Sequence, residues 1–122
     1  MKVDRDALAP GPLVQGFAGT GFRIDGTLYP AVLLTVSAAS VWQPPALDGL
    51  TEDDLAPLLA DDPEFVLLGT GAKLVRPPAP LRHAFAARTM ALEAMDSRAA
   101  ARAWGVLRGE GRRIAAALYP LG

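Results

Sequence analysis

Residues 96–120, DSRAAARAWGVLRGEGRRIAAALYP, combine the clearest helix of the chain with the apolar run that follows it. Asp96 is a good N-cap, because its carboxylate can accept a hydrogen bond from the first turn of a helix. Gly109 or Gly111 can end this helix, since glycine adopts the left-handed conformation found after many helix ends. The run over residues 112–119 is short and lies between a glycine and a proline, so we predict a buried strand there.

The helix has two contrasting faces. Its 3.6-residue period collects small and apolar residues on one side, which we expect to pack on a sheet, with Trp104 at the margin. The opposite side is a candidate partner-binding face, where a mid-helix glycine leaves a bare patch beside two arginines. The predicted packing face consists of Ala99, Ala100, Ala103, Val106 and Leu107, and the candidate partner-binding face of Arg98, Arg102 and Gly105.

A hairpin is predicted near the N-terminus. Asp25 and Gly26 lie between two runs that bear apolar residues, and this dipeptide suits the positive φ angles of a type I′ turn. We expect the second strand to continue through residues 32–36. Pro30 cannot donate to a ladder, so it marks a bulge or an edge.

The middle of the chain alternates strand and helix signals. Residues 65–71, FVLLGTG, predict a short buried strand. Residues 77–90, PPAPLRHAFAARTM, predict a helix with Pro80 in its first turn, where proline is tolerated. Residues 90–95, MALEAM, are compatible with either helix or strand by composition.

An acidic segment precedes these elements. Thr51 is a predicted N-cap, and Pro57 should keep the helix that follows short or kinked. The acids could be interpreted as a metal site, but ligands must converge, whereas consecutive helical positions diverge. We therefore expect a solvated helix start and neither metal nor cofactor. The acids are Asp48, Glu52, Asp53, Asp54, Asp61, Asp62 and Glu64.

The alternation of these elements predicts the fold class. We expect an α/β fold, a three-layer sandwich with a central mixed β-sheet, an N-terminal hairpin and about three helices. Residues 1–13 are rich in proline, glycine and charge, and we expect a loosely held N-terminal arm. Residues 14–122 should form a single α/β domain.

Composition narrows the function classes. The 122 residues include no cysteine, which excludes disulfides and thiolate chemistry and agrees with a cytoplasmic location. No apolar stretch is long enough for a membrane span, so no membrane insertion is expected. Residues 1–72 carry 3 bases and 10 acids, a net charge of −7, and residues 73–122 carry 9 bases and 3 acids, a net charge of +6. Without basic and aromatic residues interleaved, we expect no nucleic-acid binding.

The second half of the chain resembles a known family. LLGTG, residues 67–71, and LEAMDSRAAARAWGVLRGEGRRIAAAL, residues 92–118, are similar to the small α/β family long labelled a domain of unknown function. That family includes archaeal and bacterial stand-alone proteins and a mitochondrial assembly factor for respiratory complex I. The resemblance covers residues 65–120 most specifically. Its motif positions in this chain are Glu93, Asp96, Glu110, Gly111 and Arg112.

The resemblance implies a three-layer fold, strands at residues 91–95 and 112–119, and no catalytic residue to transfer. One position departs from the family pattern. Members usually have an asparagine after the helix aromatic, where this chain has Gly105 after Trp104. Any polar role of that asparagine is therefore absent here.

Catalytic constellations are not apparent. His83 is the only histidine, and no serine lies in a nucleophile elbow. Glu93 and Glu110 flank opposite ends of the predicted helix, so one active site containing both is not expected. Asp96 is better explained as a cap, and Arg112 by ion pairs or terminal carbonyls.

A glycine loop offers the main alternative. Glycines after a strand often cradle phosphate, and this chain has two of them followed by cations. The spacing matches neither a Walker loop nor a dinucleotide fingerprint, so we predict a strand-ending turn. The candidate anion loop consists of Gly69, Thr70, Gly71, Lys73 and Arg76.

The sequence thus favours a non-catalytic protein-interaction module with an unidentified protein partner, and leaves the oligomeric state open. The alternative is a small-anion or nucleotide binding protein, or an enzyme, that uses the loop from Gly69 to Lys73.

Overall fold

A computed structural model of the chain describes residues 10–122. Its three α-helices are α1 (Ala56–Leu59), α2 (Ala79–Ala87) and α3 (Ser97–Gly109), with short 3-10 turns at Leu47–Gly49 and Asp53–Leu55. Its strands are β1 (Gly16–Ala18), β2 (Gly21–Ile24), β3 (Thr27–Tyr29), β4 (Val32–Leu34), β5 (Ala39–Val41), β6 (Phe65–Gly69), β7 (Ala91–Met95) and β8 (Ala115–Leu118).

The strands form a central mixed sheet and a smaller antiparallel one. The central sheet has the order β5-β4-β8-β6-β7, with β6 parallel to both β7 and β8 and with β4 antiparallel to its neighbours. The smaller sheet has the order β1-β2-β3. The predicted α/β class, the mixed sheet and the strands in residues 91–95 and 112–119 are confirmed, although the last strand is shorter than its predicted range.

Apolar side chains cover both faces of the central sheet, as the alternation of strand residues requires. On one face of the central sheet, α3 and the small sheet enclose the first core. On the other face, α1, α2 and the two 3-10 turns enclose the second core. The first core includes Phe22, Val32, Leu34, Leu67, Trp104, Ala116 and Leu118. The second includes Leu33, Leu58, Val66, Leu68, Leu81, Phe85 and Ala117.

The predicted hairpin is present, but its second strand is shorter than expected. Asp25 and Gly26 have φ angles of 51° and 80°, which fit a type I′ turn between β2 and β3. The continuation through residues 32–36 is wrong. β3 ends at Tyr29, and β4 belongs to the central sheet, because Pro30 cannot donate to a ladder and the chain changes sheets there.

Helix α3 is rotated relative to its predicted orientation. Trp104 is fully buried rather than marginal, and Val106 is 62% exposed rather than packed. The large indole determines the rotation, because burying Trp104 removes more apolar surface from water than burying Val106 would. The buried residues of α3 are Ser97, Ala100, Ala101, Trp104 and Arg108.

The ends of α3 satisfy their backbone groups locally. Asp96 Oδ1 accepts a hydrogen bond from the Ala99 amide at 2.9 Å. After the helix, Gly111 has φ 77°, its amide donates to the Arg108 carbonyl at 2.9 Å, and the Arg112 amide donates to Leu107 at 3.0 Å. This pattern is a Schellman motif, which requires a residue like glycine at the left-handed position.

Ion pairs connect acids of the first half of the chain with arginines of the second. Because such pairs are exposed, each contributes little to stability by itself. The pairs are Arg88 with Glu52, Arg112 with Glu64 at 2.8 Å, and Arg113 with Asp61 at 3.1 Å.

Glu64 provides a test of acid stability. Hydrogen bonds from the Arg113 amide and the Arg112 side chain hold the pKa of Glu64 below its ordinary value of 4.5. A depressed folded-state pKa gives stability that is present above the unfolded value and lost as the pH falls through the folded one. We expect Glu64→Gln to lose stability at neutral pH and to show a smaller fall in melting temperature between about pH 6 and 3.

Asp62→Asn is the matched control for Glu64→Gln, because asparagine tolerates the positive φ of 50° at that position. Thermal melts of the three proteins across this pH range measure the effect. If the melting temperature of Glu64→Gln falls with pH as much as that of the unsubstituted protein, the role given to Glu64 is contradicted.

Candidate functional site

The exposed surface of α3 presents two arginines on one side of the helix. Arg98 and Arg102 are four residues apart, so their side chains lie on the same face, and both are exposed. We call this surface, formed by Arg98, Arg102, Gly105 and Val106, the α3 outer face. The ion pairs found between residues 10 and 122 include neither of these arginines.

The N-terminal segment runs antiparallel along the flank of α3. The Trp104 indole donates to the Pro12 carbonyl at 2.9 Å, and the Arg108 guanidinium donates to the Pro10 carbonyl at 3.0 Å. The predicted loose arm of residues 1–13 lies mostly outside the described residues. Its last four residues, 10–13, are held against α3 by these contacts.

Between β1 and α3 lies a shallow cleft. It has a volume of about 150 Å³ and is lined by Val14, Gln15, Gly16, Phe17, Ala101 and Arg102. At one end, the Arg98 guanidinium stacks over the Phe17 ring, 4.5 Å from the ring centroid. This cation–π contact restrains the guanidinium beside the cleft.

The glycine loop lies at the carboxyl ends of β6 and β7, where open α/β sheets commonly bind ligands. Here the two loops hydrogen-bond to each other. The Gly71 amide donates to Ser97 Oγ at 2.8 Å, and the Ser97 amide donates to the Gly71 carbonyl at 2.8 Å. The Thr70 amide donates to the Met95 carbonyl at 2.9 Å. These amides of the loop are therefore engaged within the fold.

The Thr70 hydroxyl fixes the rest of this loop. It donates to the Lys73 carbonyl at 2.7 Å and accepts from the Val75 amide at 3.0 Å. Gly71 has φ 109°, a region that residues with a Cβ rarely adopt. Lys73 and Arg76 are exposed. This geometry is that of a strand-ending turn.

Comparison with known proteins places the chain in a family. Residues 14–119 match the family described as protein of unknown function (DUF498/DUF598). The chain belongs to the DUF498/DUF598 family. The family resemblance inferred from the motifs of the second half is thereby confirmed, and it extends over the N-terminal sheet as well.

Several proteins are similar to this DUF498/DUF598 protein in sequence or in fold. An uncharacterized protein of Rhodobacter capsulatus is 35% identical over 111 residues, which cover 88% of this chain and 84% of that protein. The crystal structure of a Bartonella henselae protein described as an outer membrane protein has a TM-score of 0.80 and 26% identity, over 93% of this chain and 98% of that one.

A Bordetella pertussis protein described as an Mth938-like domain supports the same fold. Its solution structure has a TM-score of 0.77 and 23% identity, over 95% of this chain and 88% of that one. Among residues 10–122, no helix is both long and apolar enough to cross a membrane.

The remaining candidate residues do not converge. Glu93 lies exposed on β7, Glu110 lies exposed after the end of α3, and His83 lies exposed on α2. In the described part of the chain, no three His, Asp or Glu side chains are grouped as a metal site would require. The acids around Glu52 instead border a second shallow cleft, where Glu52 pairs with Arg88.

The sequence places Arg98 and Arg102 on one face of α3, but it does not reveal the cleft beside them. β1 has only three residues, Gly16–Ala18, and no alternating pattern that would reveal a strand. The Asp25-Gly26 turn was the only local signal for the small sheet. The contact of Phe17 with Arg98 joins distant parts of the sequence.

The loop gives a testable distinction between a turn and an anion site. We expect Gly71→Ala to destabilise the fold by about 1 kcal/mol or more, because alanine disfavours positive φ. Lys73→Ala should leave the melt nearly unchanged, and ATP or NAD at millimolar concentration should not raise the melting temperature, since a bound ligand would. Saturable stabilisation by either ligand that disappears in Lys73→Ala would support the anion-site alternative instead.

Proposed function

We propose that this protein is a non-catalytic interaction module that binds another protein through the α3 outer face. The observation that carries the proposal is Gly105. A Cβ added to this glycine would meet no heavy atom within 4 Å, apart from the neighbouring residues of the helix itself, in the described structure. Glycine in an exposed helix interior costs about 1 kcal/mol relative to alanine, and packing within the fold does not require it here.

A glycine of this kind allows the backbone of another chain to approach the helix closely. The residues around it suit a protein partner. Val106, next to it, is 62% exposed and supplies apolar area, while Arg98 and Arg102 supply charged donors without competing ion pairs among residues 10–122. Arginine is enriched at protein interfaces because its planar guanidinium forms several hydrogen bonds at once.

The family relationship supports the same class of function. The family that the second half of the chain resembles includes an assembly factor for respiratory complex I. Subunits of respiratory complexes are therefore one class of partner to test, although fold similarity does not transfer a partner. The absence of cysteine fits a reducing compartment, and we place the module in the cytoplasm.

Affinity capture with matched charge-reversal variants tests this proposal. The tagged protein, the double variant Arg98→Glu and Arg102→Glu, and the double variant Lys73→Glu and Arg76→Glu are expressed in the source organism. Quantitative mass spectrometry then compares the proteins captured with each. Both variants change two exposed cations to acids, so they alter net charge equally.

We expect the unsubstituted protein and the Lys73/Arg76 variant to capture the same partner, and the Arg98/Arg102 variant to lose it while melting normally. Capture of background proteins alone by the unsubstituted protein would contradict the proposed function. Equal capture by all three proteins would show that the α3 outer face is not the binding surface.

A further inference from the structure

Among residues 10–122, strand β1 has a paired neighbour on one side only. It pairs with β2 through the register of Gly16 with Arg23 and Ala18 with Gly21, and it is the first strand in the order β1-β2-β3. Residues 14–17, which lead into this strand and form most of it, also line the cleft with Ala101 and Arg102. An unpaired strand edge presents backbone donors and acceptors that an extended peptide can use.

Charge distinguishes this edge from the other three edges of the two sheets. Beside β1 lie Arg98 and Arg102, one over the Phe17 ring and the other in the wall of the cleft. In contrast, β7 bears the exposed Glu93, β3 follows Asp25 of the hairpin turn, and β5 bears Val41, which is 74% exposed. An acidic segment is therefore attracted to the β1 edge and repelled by Glu93 at the β7 edge.

The spacing of the two arginines matches an extended chain. Residues four apart on a helix are separated by about 6 Å along its axis. Alternate residues of a strand are separated by about 6.6 Å and point to the same side. Two acidic side chains at alternate positions of a strand can thus reach Arg98 and Arg102 together, whereas adjacent acidic residues would point to opposite sides.

Helix α3 runs antiparallel to the segment that leads into β1. The row formed by Arg98 and Arg102 is therefore roughly parallel to the edge of this strand. Arg98 lies beside Phe17, Arg102 lines the cleft with Val14 to Phe17, and Trp104 contacts Pro12. A strand added beside β1 would turn its inward side chains toward this row. Its outward side chains would face solvent.

We propose that the β1 edge and α3 together bind an extended acidic segment of a partner protein, which adds a strand to the small sheet and places alternate carboxylates on Arg98 and Arg102. This inference rests on the proposed interaction function and specifies the chemistry of the bound segment. Backbone pairing with β1 fixes its position, and the two arginines select its charge pattern.

Peptide titration followed by amide chemical shifts tests the proposal on the full-length protein. The probe is a capped peptide, Thr-Val-Glu-Val-Glu-Val-Thr. One control replaces both Glu residues with Gln, and a second places the two Glu residues next to each other. A third carries N-methyl groups on alternate residues, on the edge that would face β1, which blocks backbone pairing without changing charge.

We expect saturable shifts confined to residues 14–18 and 98–106 with the probe peptide. Binding should weaken at least tenfold with each control peptide and in the double variant Arg98→Gln and Arg102→Gln. The inference would be overturned if the Gln peptide or the N-methyl peptide bound as well as the probe peptide. It would also be overturned by shifts centred on residues 69–76 or 91–95, or by no saturable shift at millimolar peptide.

The capture experiment separates this inference from the function on which it rests. A partner that is lost from the Arg98/Arg102 charge reversal, together with failure of the probe peptide, would retain the interaction module and reject the extended acidic segment. If the unsubstituted protein captures only background proteins and the probe peptide also fails to bind, both the interaction module and the extended acidic segment are rejected.

Discussion

Replacing Trp104 by alanine is expected to lower the free energy of unfolding by about 3–5 kcal/mol. The indole has no exposed surface and lies in the core between the central sheet, α3 and the small sheet. Its truncation removes a large apolar area and leaves a cavity. It also leaves the Pro12 carbonyl without its donor at 2.9 Å.

Such a loss is a large share of the total stability, because domains of this kind are stable by only about 5–15 kcal/mol. Urea titration of Trp104→Ala measures it, with Trp104→Phe as the conservative variant that retains most of the packing. Trp42→Ala is the matched control, since Trp42 is only partly buried beside the other core. Its ring centroid lies 5.1 Å from that of Tyr119. A cost for Trp104→Ala no larger than that of the control would contradict the orientation of α3.

Alanine substitutions at Gly69 and Gly105 are expected to change stability in opposite directions. A Cβ at Gly69 would lie 2.8 Å from Ser97 Oγ, 2.9 Å from Ser97 Cα and 3.0 Å from Leu118 Cδ2. The start of α3 would have to move away from β6, at a cost of about 1–3 kcal/mol. Gly105→Ala meets no such contact and should stabilise the helix by about 1 kcal/mol.

Denaturant midpoints of the two variants, measured against the unsubstituted protein, test this contrast. The result matters for function as well as for stability. If Gly105→Ala stabilises the protein as expected and reduces partner capture, the glycine serves binding at the expense of the helix. A destabilising Gly105→Ala would show that the fold itself requires this glycine, and the main support for the proposed surface would be removed.

Features governed by neighbouring residues could be predicted from the sequence. The Asp25-Gly26 turn follows from the φ angles that a two-residue hairpin demands. The Asp96 cap follows from the orphan amides of a first helical turn. In both cases the chemistry lies within about four residues, and the structure has the predicted turn and cap.

Features that depend on distant contacts could not be predicted. The rotation of α3 follows from burial of Trp104, whose hydrogen-bond partner Pro12 is 92 positions away in sequence. Alanines occur on several sides of the helix, so the sequence pattern alone does not show which face of α3 is buried. The cleft beside Arg98 was missed for the same reason, since its two walls come from opposite ends of the chain.

Photo-crosslinking from position 106 tests the location of the proposed binding surface most directly. A photoreactive amino acid is introduced at Val106 in the source organism, with the same substitution at Leu74 as the control, because the two residues are 62% and 61% exposed. We predict a discrete adduct with one partner protein from position 106 and none from position 74. An adduct that forms from position 74 alone, or no adduct from either position, would contradict binding through the α3 outer face.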